Sequence, residues 1–399
     1  MKKLFPLYLI IFTGYIGISM IVILFTTMIM QDSESILSSD YSFNDRSYLL
    51  GAIVSMYPLG QFIGLPMIGS LSDHYGRKKI LCISLALCAL FYMFVGLGIQ
   101  FLNFPIILMS LFLLGFCEGN VVIAQSIISE QTTEKKERLR RFGMISILIS
   151  LSFITGPFLV AHLGLFDLPS PWNFSIPFFL LGILIIIFFG LLVLFFKYPK
   201  AQKKETSYSP KFALIGLLKH KQLIYIYIAN FFLYLAFAGL LRLYPIFLVE
   251  KFELNTIQLS RAIAMNGIGI ILANLLVAPK LRNFSTVKIL RIIPFLVCIS
   301  VLMITFQTKI YLAVMMTLFS CMLLGTCSIF ALEQISKIAP QENLGEILGN
   351  NSSLNTLSQV LIGFIGSYVI TLNINGSIWI SSIFALLAAI IYIKISRRS

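Results

Sequence analysis

Apolar residues in this chain come in long runs, broken by short polar connections. A bilayer core takes about 20 consecutive apolar residues per helix. The chain supplies twelve such runs, near 5–30, 48–71, 80–100, 105–129, 142–164 and 174–196, then 222–248, 259–279, 289–306, 310–332, 347–372 and 377–395. The pattern predicts an all-α integral membrane protein with twelve transmembrane helices. The first run is too long for a secretory signal core and lacks a small-x-small cleavage site, so it is expected to stay as a span. The longest connection, 197–221, is basic and falls at the middle of the chain. Expected units are therefore a six-helix bundle over 1–196, a central loop over 197–221 and a second bundle over 222–399.

Composition agrees with membrane residence: 58% of residues are hydrophobic, 12% are charged and mean hydropathy is +0.93. The net charge of +14 does not suggest nucleic acid, because the cations sit in loops and are not interleaved with stacking aromatics. They orient the chain instead. With the N-terminus placed in the cytoplasm, that side collects twenty-five Lys and Arg, and the other side holds Arg46, Lys251, Arg261 and Lys309. Both termini are expected inside. The six cysteines lie within apolar runs and the three histidines are far apart, so no metal, cofactor or disulfide is expected. No phosphate-binding loop of the G-x4-G-K-(S/T) kind is present. Nor is there a nucleophile with a base beside it, so an intramembrane enzyme is not the expectation.

The halves echo each other. Ile68 to Leu81 aligns with Val277 to Leu290, and Glu130-Gln131 with Glu333-Gln334, at equivalent places in the predicted order of spans. Such internal repeats suit two bundles that alternate around a midplane site.

The most specific stretch is Gly69-Ser70-Leu71-Ser72-Asp73-His74-Tyr75-Gly76-Arg77-Lys78-Lys79, an acid and two glycines closing into a cationic turn. It resembles the loop between spans two and three of the major facilitator superfamily, G-x-L-(A/S)-D-(R/H)-x-G-R-(R/K)-(R/K). The turn after span four runs from Glu130 to Gly143, and Gly143, Ser152, Gly156 and Pro157 follow in span five. These are similar to the corresponding turn and helix-bend motif of the tetracycline and drug:proton antiporter branch, with Ser152 in place of one glycine. The resemblance implies secondary transport by alternating access. It also implies a gate in which Asp73 and Arg77 tie the ends of spans two, four and eleven in the outward-open state, with Glu130 or the start of span eleven as partner. In that family spans one, four, seven and ten line the cavity. The arginine usual in span four and the acid common in span one are missing here.

Two charges lie inside spans instead, Glu118 in the fourth and Arg242 in the seventh. A charge at bilayer depth costs at least about 2.5 kcal/mol on insertion scales, so both are expected to face the bundle interior. Glu118 is the candidate proton carrier, pairing with Arg242 or exchanging that partner for substrate; a fixed ion pair is the bland alternative. Arg242 could instead hold an anionic group, or snorkel to the interface beside Tyr244. Asn120, Gln125, Tyr227, Asn230 and Tyr234 are further candidates for the lining, as are Thr13, Tyr15 and Ser19 in span one and Ser320, Thr326 and Ser328 in span ten. The expected function is proton-coupled efflux of a small amphipathic molecule by a monomer in a bacterial inner membrane. Transport of an organic anion, or a receptor that moves nothing, is the alternative.

Overall fold

The computed structural model describes residues 4–31, 37, 40–131, 135–163, 169–195, 223–338 and 344–398. Twelve helices in it are long and apolar enough to cross a membrane. In chain order they are α1 (Phe5–Met30), α2 (Phe43–Tyr75), α3 (Arg77–Gln100), α4 (Phe104–Ile128), α5 (Gly143–Leu163) and α6 (Trp172–Leu194). The second set is α7 (Ile224–Phe252), α8 (Thr256–Leu281), α9 (Thr286–Ile304), α10 (Ile310–Ile338), α11 (Ile347–Leu372) and α12 (Gly376–Ile395). Each predicted span has its helix, with ends shifted by a few residues. The central loop lies outside the described residues.

Helix ends fall where the sequence supplies capping groups. Ser42 and Asp45 form a reciprocal capping box at the start of α2, and Asn255 with Gln258 repeats it at the start of α8, each satisfying orphan N–H groups. Between α2 and α3 the chain turns at Gly76 with φ +99°, a conformation that a side chain would strain. The cationic turn therefore needs its second glycine.

Packing repeats with a shift of six helices. In the first half α1 packs on α5 and α6, α2 on α4, and α3 on α4 and α6; in the second, α7 packs on α11 and α12, α8 on α10, and α9 on α10 and α12. The halves meet through two crossings, α2 with α11 and α5 with α8, which the same shift exchanges. These are two pseudo-symmetric six-helix bundles. Large apolar side chains such as Leu194, Phe306 and Leu372 stay exposed around the outside, the surface that lipid would cover.

Two helices depart from a plain span. α4 is interrupted at Glu118, where the backbone N–H bonds the carbonyl of Gly115, three residues back, and not that of Leu114, four back. α8 carries a π-helical segment, Ala273–Val277, just before Pro279. Proline has no N–H to continue the ladder, and a local π register is one way to absorb the loss.

Candidate functional site

The site is built on the closeness of α2 and α4. Gly60 and Gly64, one helical turn apart on α2, lie so near α4 that a Cβ would overlap the carbonyls of Phe112 and Phe116; Gly115 of α4 stands in the same relation to Tyr57. Small residues four apart allow such backbone contact in membranes. The contact sets Gln61 opposite the break in α4, and its side-chain amide donates to the Glu118 carboxylate at 2.8 Å. On the other flank Gly14 of α1 leaves room for Glu118, whose Oε1 would lie 3.2 Å from a Cβ there. Glu118 is 3% exposed, and a carboxylate that deep keeps one strong hydrogen bond from Gln61.

Glu118 lines a central cavity of about 440 Å³ whose wall takes residues from α1, α2, α4 and α5 of one bundle and α7, α8 and α11 of the other. Its aromatic part is Tyr15, Phe153 and Phe237; its polar part includes Ser19, Gln61, Gln125, Arg242 and Asn266. Helix α11 adds Ser352, Asn355, Thr356 and Gln359 at helical spacing, a polar stripe on one face. Glu118 and Gln125, two turns apart, both reach the cavity.

Arg242 also lines it, yet does not pair with Glu118. Its Nη1 donates to the backbone carbonyl of Val54 on α2 at 2.6 Å, and its Nη2 to Oε1 of Gln359 on α11 at 2.7 Å. At 5% exposure it does not snorkel. The expected ion pair is thus replaced by two separate polar clusters. The physical reason is that each charge finds satisfying partners on its own side of the cavity: a neutral amide for Glu118, and a carbonyl with a neutral amide for Arg242. The arginine bridges the bundles from α7 to α2.

Three sequence candidates point elsewhere. Asn120 donates to Sγ of Cys88 on α3 at 3.4 Å. Asn230 donates to Oδ1 of Asn351 at 2.9 Å and accepts from the hydroxyl of Tyr392, while Tyr234 accepts from Asn351 at 2.5 Å. These last residues weld α7, α11 and α12 together and leave the cavity wall to others. In α10, Ser320 donates to Ser300 of α9 at 2.9 Å and Thr326 to the carbonyl of Met322 at 2.8 Å; among the described residues α10 contributes nothing to the wall. Gln61, Gln359 and Asn266, absent from the candidates, stand on it. Their signal was available, since each is a polar residue well inside an apolar run.

The helix-bend residues lie at the α1–α5 contact. The Ser152 hydroxyl donates to the carbonyl of Phe12 at 2.9 Å, and a Cβ on Gly156 would overlap Ser19. Pro157 follows inside α5, whereas Gly143 has open space around it.

At the gating turn, Asp73 forms an ion pair with Arg77 at 3.0 Å, across Gly76, with the acid 57% exposed. Among the described residues its ion-pair partner is Arg77, and nothing stands within 4 Å of a Cβ placed on Gly69. Lys78 lies at the start of α3, and the side chain of Glu130 lies outside the described residues.

A cavity between two six-helix bundles, lined by a buried charge from each, sits at the centre of a chain with twelve membrane-length helices. The family model described as Major Facilitator Superfamily matches residues 7–361, and the chain belongs to that superfamily. It is similar to the quinolone resistance protein NorA of Staphylococcus aureus, 26% identical over 269 residues, 67% of this chain and 64% of that protein. The chain therefore spans a little under two thirds of the length of those relatives. The class H tetracycline resistance protein of Pasteurella multocida is 26% identical over 290 residues, 71% of this chain and 67% of that protein. Solved structures share the fold: the human organic anion transporter MFSD10 (TM-score 0.73, 16% identity, 98% of this chain and 99% of that one) and the nucleoside transporter NupG (0.73, 14%, 100% and 99%).

Proposed function

We propose that this protein exports a small amphipathic molecule in exchange for protons, by rocking of the bundles 1–196 and 222–399 about the central cavity. The observation that carries this reading is Glu118, a carboxylate buried on the cavity wall at a break in α4 and held by a neutral partner. A carboxyl group desolvated in this way can be charged or neutral depending on what shares the cavity. A proton and a ligand can then compete for it. The aromatic wall suits an apolar body, and the named roles of the quinolone and tetracycline relatives agree with efflux. The cation distribution supports cytoplasmic termini by the positive-inside rule, and a bacterial inner membrane suits the bacterial relatives. The protein works as a monomer, in which each copy carries a whole cavity.

The test is reconstitution in proteoliposomes. Counterflow of rhodamine 6G, an amphipathic fluorescent cation, is expected with wild type. Uptake driven by an imposed proton gradient is expected to vanish in Glu118→Gln while counterflow persists. Gradient-driven accumulation that survives the substitution would remove Glu118 from coupling, and absence of any flux despite binding would favour a receptor. Organic-anion transport is the second reading, favoured by Arg242 on the wall. It requires the anion to displace Val54 and Gln359 from the guanidinium, and Arg242→Ala would then weaken competition by aryl carboxylates.

A further inference from the structure

Asn266 of α8 is 2% exposed and stands on the cavity wall, yet neither its amide nitrogen nor its amide oxygen has a hydrogen-bond partner. The buried charges on the wall and several other buried polar groups have partners. Glu118 has Gln61, Arg242 has Val54 and Gln359, and Ser19 has the carbonyl of Ile16. Asn230 and Asn351 satisfy each other together with Tyr234 and Tyr392. Asn274, two turns further along α8, folds back to donate to the carbonyl of Ile270 at 2.9 Å. Asn266 takes none of these routes. Among the described residues it is the asparagine in which both amide atoms are buried and unpartnered.

The fold surrounds this amide with apolar groups and backbone. The next residue, Gly267, sits at the crossing of α8 with α5, where a Cβ would lie 3.1 Å from the backbone carbon of Phe153 and 2.8 Å from the side chain of Ile154. Its neighbours on the same face of α8 are Ile263 and Ile270, which offer no polar atom. A buried amide without partners is expensive, and a leucine or isoleucine would fill the position without that cost. The group gains from being polar only when something in the cavity meets it.

We propose that Asn266 is the residue by which the central cavity selects ligands presenting a hydrogen-bond donor and an acceptor side by side on a neutral edge, such as a carboxamide or lactam. A primary amide carries an N–H and a carbonyl on one edge, and its complement carries a carbonyl and an N–H in reverse order. A carboxylate lacks the donor and would also meet the field of Glu118. A site that hydrogen-bonds such an edge rejects the analogue that lacks it more strongly than an apolar pocket can. Tyr15, Phe153 and Phe237 supply the surface for a flat apolar body beside that edge. The inference rests on the cavity being the substrate site of the proposed transporter.

Binding is tested on the purified full chain in lipid nanodiscs, which needs no transport. Two fluorescent probes of similar size are compared: 2-naphthamide, with donor and acceptor together, and methyl 2-naphthoate, with the acceptor alone. Wild type is expected to bind the amide about tenfold more tightly than the ester. In Asn266→Leu the preference is expected to disappear through loss of amide affinity, with ester affinity kept within about twofold. Asn266→Ala, which adds no bulk, is expected to do the same and covers the case in which the leucine variant does not fold. An unchanged preference in both variants would overturn the proposal and leave Asn266 a structural residue. Failure of wild type to discriminate the probes, or to bind either, would overturn it as well. Discrimination without flux in proteoliposomes would instead sink the transport reading and leave the ligand preference standing.

Discussion

The two ends of the molecule are built from similar residues and packed in opposite ways. At the end away from the termini the bundles are pressed together. A Cβ on Gly51 of α2 would overlap Ser367 of α11, and one on Gly363 of α11 would overlap Ser55 of α2. Arg242 bridges the bundles there. At the end that carries the termini, Gly69 on α2, Gly143 on α5 and Gly349 on α11 each have, among the described residues, nothing within 4 Å of where a side chain would start, and the ion pair of Asp73 is with Arg77. There α2 keeps to α4, and α11 to α7, each helix holding to its own bundle. Glycines at both ends of the same helices have use in a protein that closes each end in turn. Among the described residues, the conformation seen is closed by contacts between the bundles at the end away from the termini and lacks such contacts at these glycines of the other end.

The comparison can be broken most severely at the glycines. Gly363→Leu is expected to prevent closure of the packed end and to abolish counterflow, a loss of about a hundredfold or more, because the side chain would have to displace Ser55 and adjacent backbone. Gly69→Leu has room in this conformation, so it is expected to leave binding intact. It should slow turnover only by obstructing closure at the other end. Cysteine accessibility at each end separates the two, and equal effects of both substitutions would undo the contrast.

A smaller effect is expected from Arg242→Ala. Charge-assisted hydrogen bonds contribute about 1.5 to 3 kcal/mol each. Losing both should shift the balance between the two states by about tenfold or more toward opening of the packed end. Modification of a single cysteine at Tyr48 in place of the native residue reads this. Faster modification is the expected result, and an unchanged rate would show that the glycine contacts hold that end alone.

Asp73→Asn should do least to the conformation seen, since an exposed ion pair is worth about 0 to 1 kcal/mol. Its effect belongs to the other state, in which the tie between helices is expected to form. Transport is therefore expected to slow while binding stays the same. Unchanged transport together with an unchanged inward/outward balance would remove the gating role.

The fold was legible because its determinants are one-dimensional. Run length fixes a span, capping groups fix its ends, and Gly76 fixes a turn that only glycine makes easily. The cavity wall was legible only in part. Glu118, Arg242 and Gln125 stand on it, whereas Asn230 and Tyr234 are consumed by Asn351 and Tyr392. A polar residue inside an apolar helix announces that it needs a partner, but the identity of that partner depends on which neighbour the helix faces. The same limit hid the separation of Glu118 from Arg242. Each met a nearer amide, Gln61 or Gln359, that counting charges along the chain overlooks. The break in α4 was foreshadowed by a charged residue followed by glycine, a weak helix former, in an otherwise apolar run.

The central claim is that the two ends close alternately and that Glu118 couples this exchange to protons. It is tested most directly by pairs of spin labels on exposed sites, Tyr48 with Tyr368 at the packed end and Tyr75 with Ile338 at the released end, with distances followed from about pH 5 to about pH 9. The account predicts that one distance lengthens as the other shortens, and that Glu118→Gln removes this pH response. Distances that move together, or a response that persists unchanged in Glu118→Gln, would contradict it.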